Sequence, residues 1–174
     1  MQAAAVTLDL RGNSYTGWAQ AHRMNSWARL KRGEKAYQAY QVWIQERIAT
    51  NLLNLGHPFQ IDGNLGTMAG VVEMLLQSHE GYIDVLPALP KAWDTGFFSG
   101  LVARGNFVVA ARWKSGKVTG IAVLSRRGGE CRLHAAGIAS AKVTDKKGTV
   151  VPTSTHEKGI RFATQEGQLY RVAF

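Results

Sequence analysis

The sequence predicts an α+β protein in which a helical first part precedes an antiparallel β-domain. Apolar residues recur at steps of three and four as far as about His79, which is the spacing of amphipathic helices. From Gly81 onward the chain consists of short runs rich in strand-forming residues, each closed by a turn. We therefore divide it into two predicted domains, residues 1–80 and residues 81–174.

Three helices are predicted in the first part. The first covers about Trp18 to Leu30, the second Glu34 to Ala49 and the third about Leu65 to Gln77. Only a turn at Gly33 separates the first two, so they are expected to run antiparallel. The third is apolar on most of its surface, which indicates burial on more than one side. Met1 to Asn13 has no strong periodicity and is expected to be a frayed start.

The second part is predicted to be an antiparallel sandwich of short strands. Its first strand is Tyr82 to Leu86, and the two prolines of the LPALP segment make a rigid link rather than a helix. Each later strand ends at a turn rich in Gly, Asn or Asp, and this spacing is typical of a sandwich. The later strands are Leu101 to Ala103, Phe107 to Trp113, Val118 to Ser125, Glu130 to His134, Lys142 to Thr144, Ile160 to Ala163 and Leu169 to Phe174.

The composition is that of a globular protein. Of 174 residues, 45% are hydrophobic and 19% are charged, which excludes a disordered chain. The formal net charge is +9, but the basic residues form short pairs far apart in the sequence. Because no basic stripe or known nucleic-acid-binding motif is present, we predict no nucleic-acid partner. The pairs are Lys31-Arg32, Arg126-Arg127 and Lys146-Lys147.

The sequence also gives no sign of a metal, a cofactor or a membrane segment. Cys131 is the only cysteine, so the chain can form no intrachain disulfide and no thiolate metal cluster. The five histidines show no HxxxH or HExxH spacing, and we predict no cofactor. No run of about 18 apolar residues occurs, so no membrane insertion is predicted. The N-terminus lacks the basic and apolar regions of a signal peptide.

The first candidate site is HPFQIDGNLG, residues 57–66, where an ionisable Asp62 stands between Gln60 and Asn64 just before the third helix. Gly63 and Gly66 tolerate unusual backbone angles, so the chain is expected to turn sharply into the helix here. A carboxylate held in such a loop is suited to proton transfer. Asp is equally a common helix-capping residue, so the local sequence leaves a purely structural cap open.

A polar strip on the first helix is a second candidate. Trp18 and His22 lie one turn apart, and Asn25 or Ser26 and then Arg29 follow at similar steps. Such a strip is often a solvated helix face. It also suits carbohydrate, because an indole stacks on a pyranose ring and an imidazole bonds to its hydroxyl groups. Both interpretations stay open on the sequence alone.

Four sequence blocks resemble one enzyme family, in the same order and at compatible spacing. The blocks are TGWAQAHRMNSWARLKRGEKAY, HPFQIDGNLG, GVVEMLLQSHEG and LPALPKAW, and they cover most of Gly12 to Gly105. They resemble the C-terminal part of the alpha-L-fucosidases of glycoside hydrolase family 95. Beyond them the chain resembles the family's C-terminal β region only loosely. The resemblance implies that the helices are the end of an (alpha/alpha)6 catalytic barrel and that a β-sandwich domain follows.

The resemblance also implies a function for Asp62. In the family, the aspartate of the QIDGN block lies in the sugar pocket and works with two asparagines to activate the attacking water. The general acid is a glutamate from an earlier part of the barrel, and neither it nor the two asparagines is recognisable here. The implied reaction removes terminal alpha-linked L-fucose, with an alpha-1,2 linkage expected, by inversion. His57, Gln60 and Asn64 are expected to order Asp62 or to touch substrate, and Glu73 is interpreted as an edge residue.

The implied partners are a fucosylated oligosaccharide or glycan and the missing N-terminal part of the enzyme. Three helices with apolar surfaces need that part to bury them, so the isolated chain is expected to be inactive. Any export signal would lie on the missing part, and a secreted or periplasmic location is compatible with this. Two alternatives are a non-catalytic carbohydrate-binding β-domain and a purely structural domain. Few aromatic residues follow Trp113, which argues against the first of these.

Overall fold

The computed structural model describes residues 2–12, 16–56, 58–157 and 159–174. The chain forms two compact units. The helical unit comprises Met1–Leu75 and Pro87–Pro90, and the β unit comprises Leu76–Leu86 and Lys91–Phe174. The predicted α+β order, with helices before strands, is confirmed.

The helical unit contains one helix more than the three predicted. Residues 2–11 form a helix, so the expected frayed start is wrong for the described part of that segment. Only Leu8 of this helix is buried, so packing constrains little of its sequence and leaves no clear periodicity. The other three helices confirm the prediction. The helices are α1 (Gln2–Arg11), α2 (Gly17–Arg29), α3 (Gly33–Glu46) and α4 (Ile61–Leu75).

Helices α2 and α4 lie side by side and run parallel. At three places a glycine of α4 is so close to α2 that an added Cβ atom would lie 2.8 to 3.2 Å from it. Because the residue numbers of the partners rise together, the two axes point in the same direction, and both helices begin at the same end. The contact pairs are Gly63 with Gly17, Gly66 with Ala21, and Gly70 with Met24.

Helix α3 runs back along α2, as the short connection predicted. Near the start of α2, Gln20 Nε2 donates a hydrogen bond of 3.1 Å to the carbonyl oxygen of Ala39. Near its end, the Lys35 ammonium lies 5.6 Å from the centre of the Trp27 ring. The partner numbers fall in α3 as they rise in α2, so the two helices are antiparallel.

The proline-containing link packs on the helices. The Ala88 N–H donates a hydrogen bond of 3.2 Å to the carbonyl oxygen of Met74 near the end of α4. The segment Pro87–Pro90 therefore belongs to the helical unit, although β strands precede and follow it.

The described part of the β unit contains ten strands, and eight of them match the predicted ones. The largest difference is the start of the third strand, which begins at Gly96 rather than Leu101. The two strands that were not predicted are two and three residues long, too short to show an alternating pattern. The strands are β1 (Leu76–Gln77), β2 (Ile83–Val85), β3 (Gly96–Ala103), β4 (Phe107–Lys114), β5 (Lys117–Ser125), β6 (Gly129–His134), β7 (Lys142–Thr144), β8 (Ser154–His156), β9 (Gly159–Thr164) and β10 (Gln168–Ala173).

The strands form two five-stranded sheets, ordered β1-β2-β6-β9-β8 and β3-β4-β5-β10-β7. All neighbours pair antiparallel except β2 and β6, which are parallel. The prediction of an antiparallel sandwich is confirmed, with the β2–β6 pair as the exception among the described strands. Its cause is the connection: β3, β4 and β5 lie between them in sequence but belong to the other sheet, so the chain returns in the same direction.

The two sheets pack face to face as a sandwich. The hydroxyl groups of Ser125 on β5 and Thr164 on β9 lie 2.8 Å apart, and both residues are buried. The rings of Phe162 on β9 and Tyr170 on β10 have their centres 5.5 Å apart. Alternate residues of β4, β5 and β9 are buried in this way, which explains why alternation predicted these strands well.

Candidate active site

Asp62 lies in the first turn of α4, which begins at Ile61. The expected loop is therefore wrong at this point, because the helix starts four residues before the predicted Leu65. The helix start was predicted too late because Gly63 and Gly66 were interpreted as turn residues. Both are helical, and both make room for α2. The carboxylate is thus attached to a rigid element rather than to a loop.

The Asp62 side chain is exposed at the positive end of this helix. The unpaired N–H groups of a first turn carry a partial positive charge. Asp62 is the second residue of α4, whereas a capping residue precedes the first. No other described residue donates a hydrogen bond to it. This position argues against a cap and leaves the carboxylate available to bind a ligand or accept a proton.

Asn64 ties the start of α4 to the preceding loop. Its side-chain Nδ2 donates a hydrogen bond of 2.6 Å to the carbonyl oxygen of Leu52. Its Oδ1 accepts one of 3.0 Å from the backbone N–H of Asn54. Both ends of the amide are therefore used to hold the loop, and Asn64 shapes the surroundings of Asp62. Its expected contact with sugar stays a prediction.

Trp18 lies at the same end of the helix pair as Asp62. It is the second residue of α2, it is 53% exposed, and its neighbour Gly17 lies against Gly63. The parallel packing of α2 and α4 therefore brings together an exposed indole and an exposed carboxylate that are distant in sequence. This is the combination expected at a carbohydrate site, where a ring stacks and a polar group bonds or reacts.

The polar strip beyond Trp18 divides into two parts. His22 is exposed and lines a groove of about 600 Å³ between α1 and α2, together with Leu8 and Arg11. Asn25 Nδ2 instead donates a hydrogen bond of 2.7 Å to the carbonyl oxygen of Gly66 on α4. The strip is therefore more than a solvated face, since its later half binds the neighbouring helix.

The remaining two predicted residues precede α4. The backbone oxygen of Gln60 accepts a hydrogen bond of 3.1 Å from the Gly63 N–H, and the residue is half-buried. Gln60 thus closes the first turn that carries Asp62. His57 lies outside the described residues.

Two family models match the chain and together cover nearly all of it. The glycosyl hydrolase family 95 catalytic domain matches residues 1–75. The glycoside hydrolase family 95 C-terminal domain matches residues 77–172. The chain belongs to glycoside hydrolase family 95. The two matches meet where α4 ends at Leu75 and β1 begins at Leu76, so Asp62 and Trp18 both lie in the catalytic-domain part.

Similar proteins are named as fucosidases. The chain is 34% identical over 152 residues to Alpha-L-fucosidase 2 of Arabidopsis thaliana. It is 36% identical over 148 residues to the Probable alpha-fucosidase A of Aspergillus niger. These matches cover 80% and 74% of the chain but 18% and 19% of the relatives. The chain therefore spans about a fifth of the length of these family 95 relatives.

Glu73 is unsuited to be the acid that would complement Asp62 in a family 95 site. Its carboxylate receives two hydrogen bonds from Arg29, of 2.5 Å from Nε and 2.7 Å from Nη2. The bond to Glu73 is also the main cause that raises the pKa of the Arg29 guanidinium. Eleven residues separate Glu73 from Asp62, which places them roughly 16 Å apart along the helix. Both observations support its interpretation as an edge residue.

Asn54 is a residue near the site that the sequence did not single out. It is 5% exposed, and its side-chain amide lies between Gly17 and Gly63 at the starts of α2 and α4. Neither side-chain atom has a hydrogen-bond partner among the described residues. An added Cβ atom at Gly17 would lie 2.2 Å from Asn54 Oδ1, so the glycine is required for this packing. No local pattern distinguishes such an Asn from an ordinary loop residue.

Proposed function

We propose that the chain is the C-terminal part of a family 95 alpha-L-fucosidase that removes terminal alpha-linked L-fucose by inversion, with the alpha-1,2 linkage as its substrate. One observation carries the proposal. Asp62 of the QIDGN block is an exposed carboxylate in the first turn of α4, beside the exposed Trp18 of a parallel helix. The names of the two relatives support the choice of sugar.

Asp62 is assigned to the water side of the reaction. In an inverting hydrolysis one carboxylate removes a proton from the attacking water while a carboxylic acid protonates the leaving oxygen. The two groups stand about 6.5 to 9.5 Å apart to leave room for the water. The acid, by the family resemblance, is a glutamate outside this chain.

The substrate contacts are assigned around the start of the two helices. The Trp18 indole is exposed and offers a stacking surface for a pyranose ring. Its place beside Asp62 would set the sugar against the base. The proposed sugar-binding residues are Trp18, His22, His57, Gln60 and Asn64.

The second proposed partner is the N-terminal part of the same enzyme. Large apolar side chains recur along one side of α4 and are exposed, which is unfavourable for a helix that stands alone. Helices from the remaining part of an (alpha/alpha)6 barrel would cover them. No helix among the described residues is long and apolar enough to cross a membrane. The exposed side chains are Ile61, Leu65, Met68 and Val72.

The test is the substitution Asp62→Asn in the longer enzyme. We expect turnover of an alpha-1,2-fucosyl galactoside to fall by about a hundredfold or more, because the amide cannot accept the proton. Binding of fucose itself should change little, since the two side chains have nearly the same shape. The matched control is Asp9→Asn, which alters an exposed carboxylate on α1 that pairs with Lys35 at the surface. Turnover near that of the wild type in Asp62→Asn would refute the assignment.

A further inference from the structure

The β unit carries a groove whose lining is rich in hydrogen-bond donors. Its volume is about 410 Å³, within the range of small-ligand sites. Three segments meet there: the hairpin between β1 and β2, the turn between β3 and β4, and strand β6. The polar residues that line it are Ser78, His79, Arg104, Glu130 and Arg132.

Most donors in this groove are not used by the protein itself. Arg104 is exposed, and its guanidinium has no partner among the described residues. Ser78 Oγ accepts a hydrogen bond of 3.1 Å from the Arg104 N–H, which leaves its own hydroxyl hydrogen to donate. His79 Nδ1 is buried without a hydrogen-bond partner. Arg104 and Ser78 can therefore bind a ligand that supplies acceptor oxygens.

The acidic residue in the groove does not cancel the positive charge. Glu130 accepts a hydrogen bond of 2.7 Å from Arg132 Nε and lies 3.8 Å from Arg161. The bond from Arg132 lowers the pKa of the Glu130 carboxyl. Four of the five N–H donors of Arg132 are not engaged by that bond. Two arginines therefore lie against this carboxylate, while Arg104 lines the same groove without contacting it.

The charge of the whole β unit has the same sign. Its sequence holds fourteen Lys and Arg residues against seven Asp and Glu residues, a net charge of +7 out of the +9 of the chain. A positive field of this kind attracts acidic ligands and speeds their association. The aromatic residues that line the groove, Tyr82 and Phe107, are buried, so no described ring offers a stacking surface to a base or a neutral sugar.

We infer that this groove binds an acidic saccharide, through a carboxylate or sulfate group that is held by Arg104 and Arg132. The inference rests on the proposed function and deepens it, because it assigns the substrate to fucosylated glycans that also carry acidic sugars.

The experiment is a calorimetric titration of the 174-residue chain with three oligosaccharides of equal length, one carrying uronic acids, one carrying sulfate esters and one neutral. We expect at least one acidic oligosaccharide to bind about tenfold or more tightly than the neutral one, and the stronger of the two identifies the group. Arg104→Gln should weaken that binding about tenfold, because it removes a charged hydrogen bond. Arg171→Gln, which alters an exposed arginine of β10 outside the groove, should not change it.

Three results would overturn the inference: equal binding of all three oligosaccharides, equal loss in Arg104→Gln and Arg171→Gln, or equally tight binding of a single-stranded DNA of the same charge. If Arg104→Gln melts at a lower temperature than the wild type, Arg132→Gln gives the same test at the second proposed contact. Because the titration does not measure fucose release, a failure here is distinguishable from a failure of the proposed hydrolysis.

Discussion

Two carboxylates on α4 differ in what surrounds them. Asp62 is exposed in the first turn and accepts no hydrogen bond from another described residue. Glu73 lies three turns later and is held by two hydrogen bonds from Arg29. Because both oxygens of Glu73 already accept hydrogen bonds from Arg29, this carboxylate is held away from any substrate oxygen. The difference between the two residues therefore predicts different effects of substitution.

We expect Glu73→Gln to leave turnover of the longer enzyme within a few-fold of the wild type. The change should lower stability by about 1 kcal/mol or less, because the ion pair is partly exposed and solvent screens it. Urea unfolding and initial rates of fucose release measure the two effects separately. A loss of turnover as large as that of Asp62→Asn would make Glu73 a catalytic acid after all.

Cys131 provides a second prediction. It is fully buried on β6, and burial raises the pKa of its thiol to about 12. We expect a thiol reagent such as DTNB to leave the folded chain unlabelled at pH 8 and to label it completely in denaturant. Prompt labelling of the folded chain would show that β6 is not covered by the second sheet.

The raised pKa of the Cys131 thiol also predicts how the stability of the fold changes with pH. An unfolded thiol ionises near pH 9, whereas the folded one keeps its proton to about pH 12. Between these values the unfolded chain binds fewer protons, so stability falls as pH rises, and below pH 9 this contribution is complete. Comparison with Cys131→Ala, which lacks the group, isolates this slope from other residues that titrate in the same range.

The parallel contact of α2 and α4 depends on the glycines of α4. An added Cβ atom at Gly66 would lie 2.9 Å from the Cβ of Ala21, which cannot move aside without its helix. At Gly70 the nearest atom is the sulfur of Met24, at 2.8 Å, on a flexible side chain. The cost of filling the two positions should therefore differ.

We expect Gly66→Ala to destabilise the chain by about 1 to 2 kcal/mol, because overpacking outweighs the better helix propensity of Ala. Gly70→Ala serves as the matched control and should cost less, since Met24 can adopt another rotamer. Urea unfolding followed by circular dichroism measures both. Equal stability of Gly66→Ala and the wild type would mean that the two helices are farther apart than described.

The elements predicted best are those whose pattern directly reflects burial. Strands β4 and β5 alternate buried and exposed residues, and their predicted ends differ from the observed ends by one residue. The start of α4 was predicted poorly, because Gly63 and Gly66 have the composition of a turn. These glycines are needed because α2, which is distant in sequence, packs closely against them. The pairing of β2 with β6 was not predicted either, because these two strands are also distant in sequence.

The features of the candidate site were likewise predicted only in part. Asp62 was singled out from its sequence block, and its role stays a prediction. Helical spacing placed Trp18 and His22 one turn apart but left open whether they face a sugar. The contacts of Asn64 with Leu52 and Asn54 were not predicted, since hydrogen bonds from a helix to a loop leave no periodic signal. The burial of Asn54 requires Gly17 from another helix, and no local window contains both residues.

At the scale of the whole molecule, two features agree with the proposal that the chain is the C-terminal part of a longer enzyme. The apolar side of α4 is exposed, and the chain spans about a fifth of the length of its family 95 relatives. A base alone does not hydrolyse a glycoside, because the acid must be held on the opposite side of the bond in the same rigid frame. We therefore expect the isolated chain to release no fucose.

The most direct test of this account is fucose release from an alpha-1,2-fucosyl galactoside by the 174-residue chain, alone and mixed with the separately produced N-terminal part. The chain alone should be inactive, and the mixture should be active with wild-type chain and about a hundredfold or more slower with Asp62→Asn. Release of fucose by the isolated chain, lost in Asp62→Asn, would place the acid within these residues. A mixture equally active with Asp62→Asn would contradict the central claim that Asp62 is the base-side carboxylate.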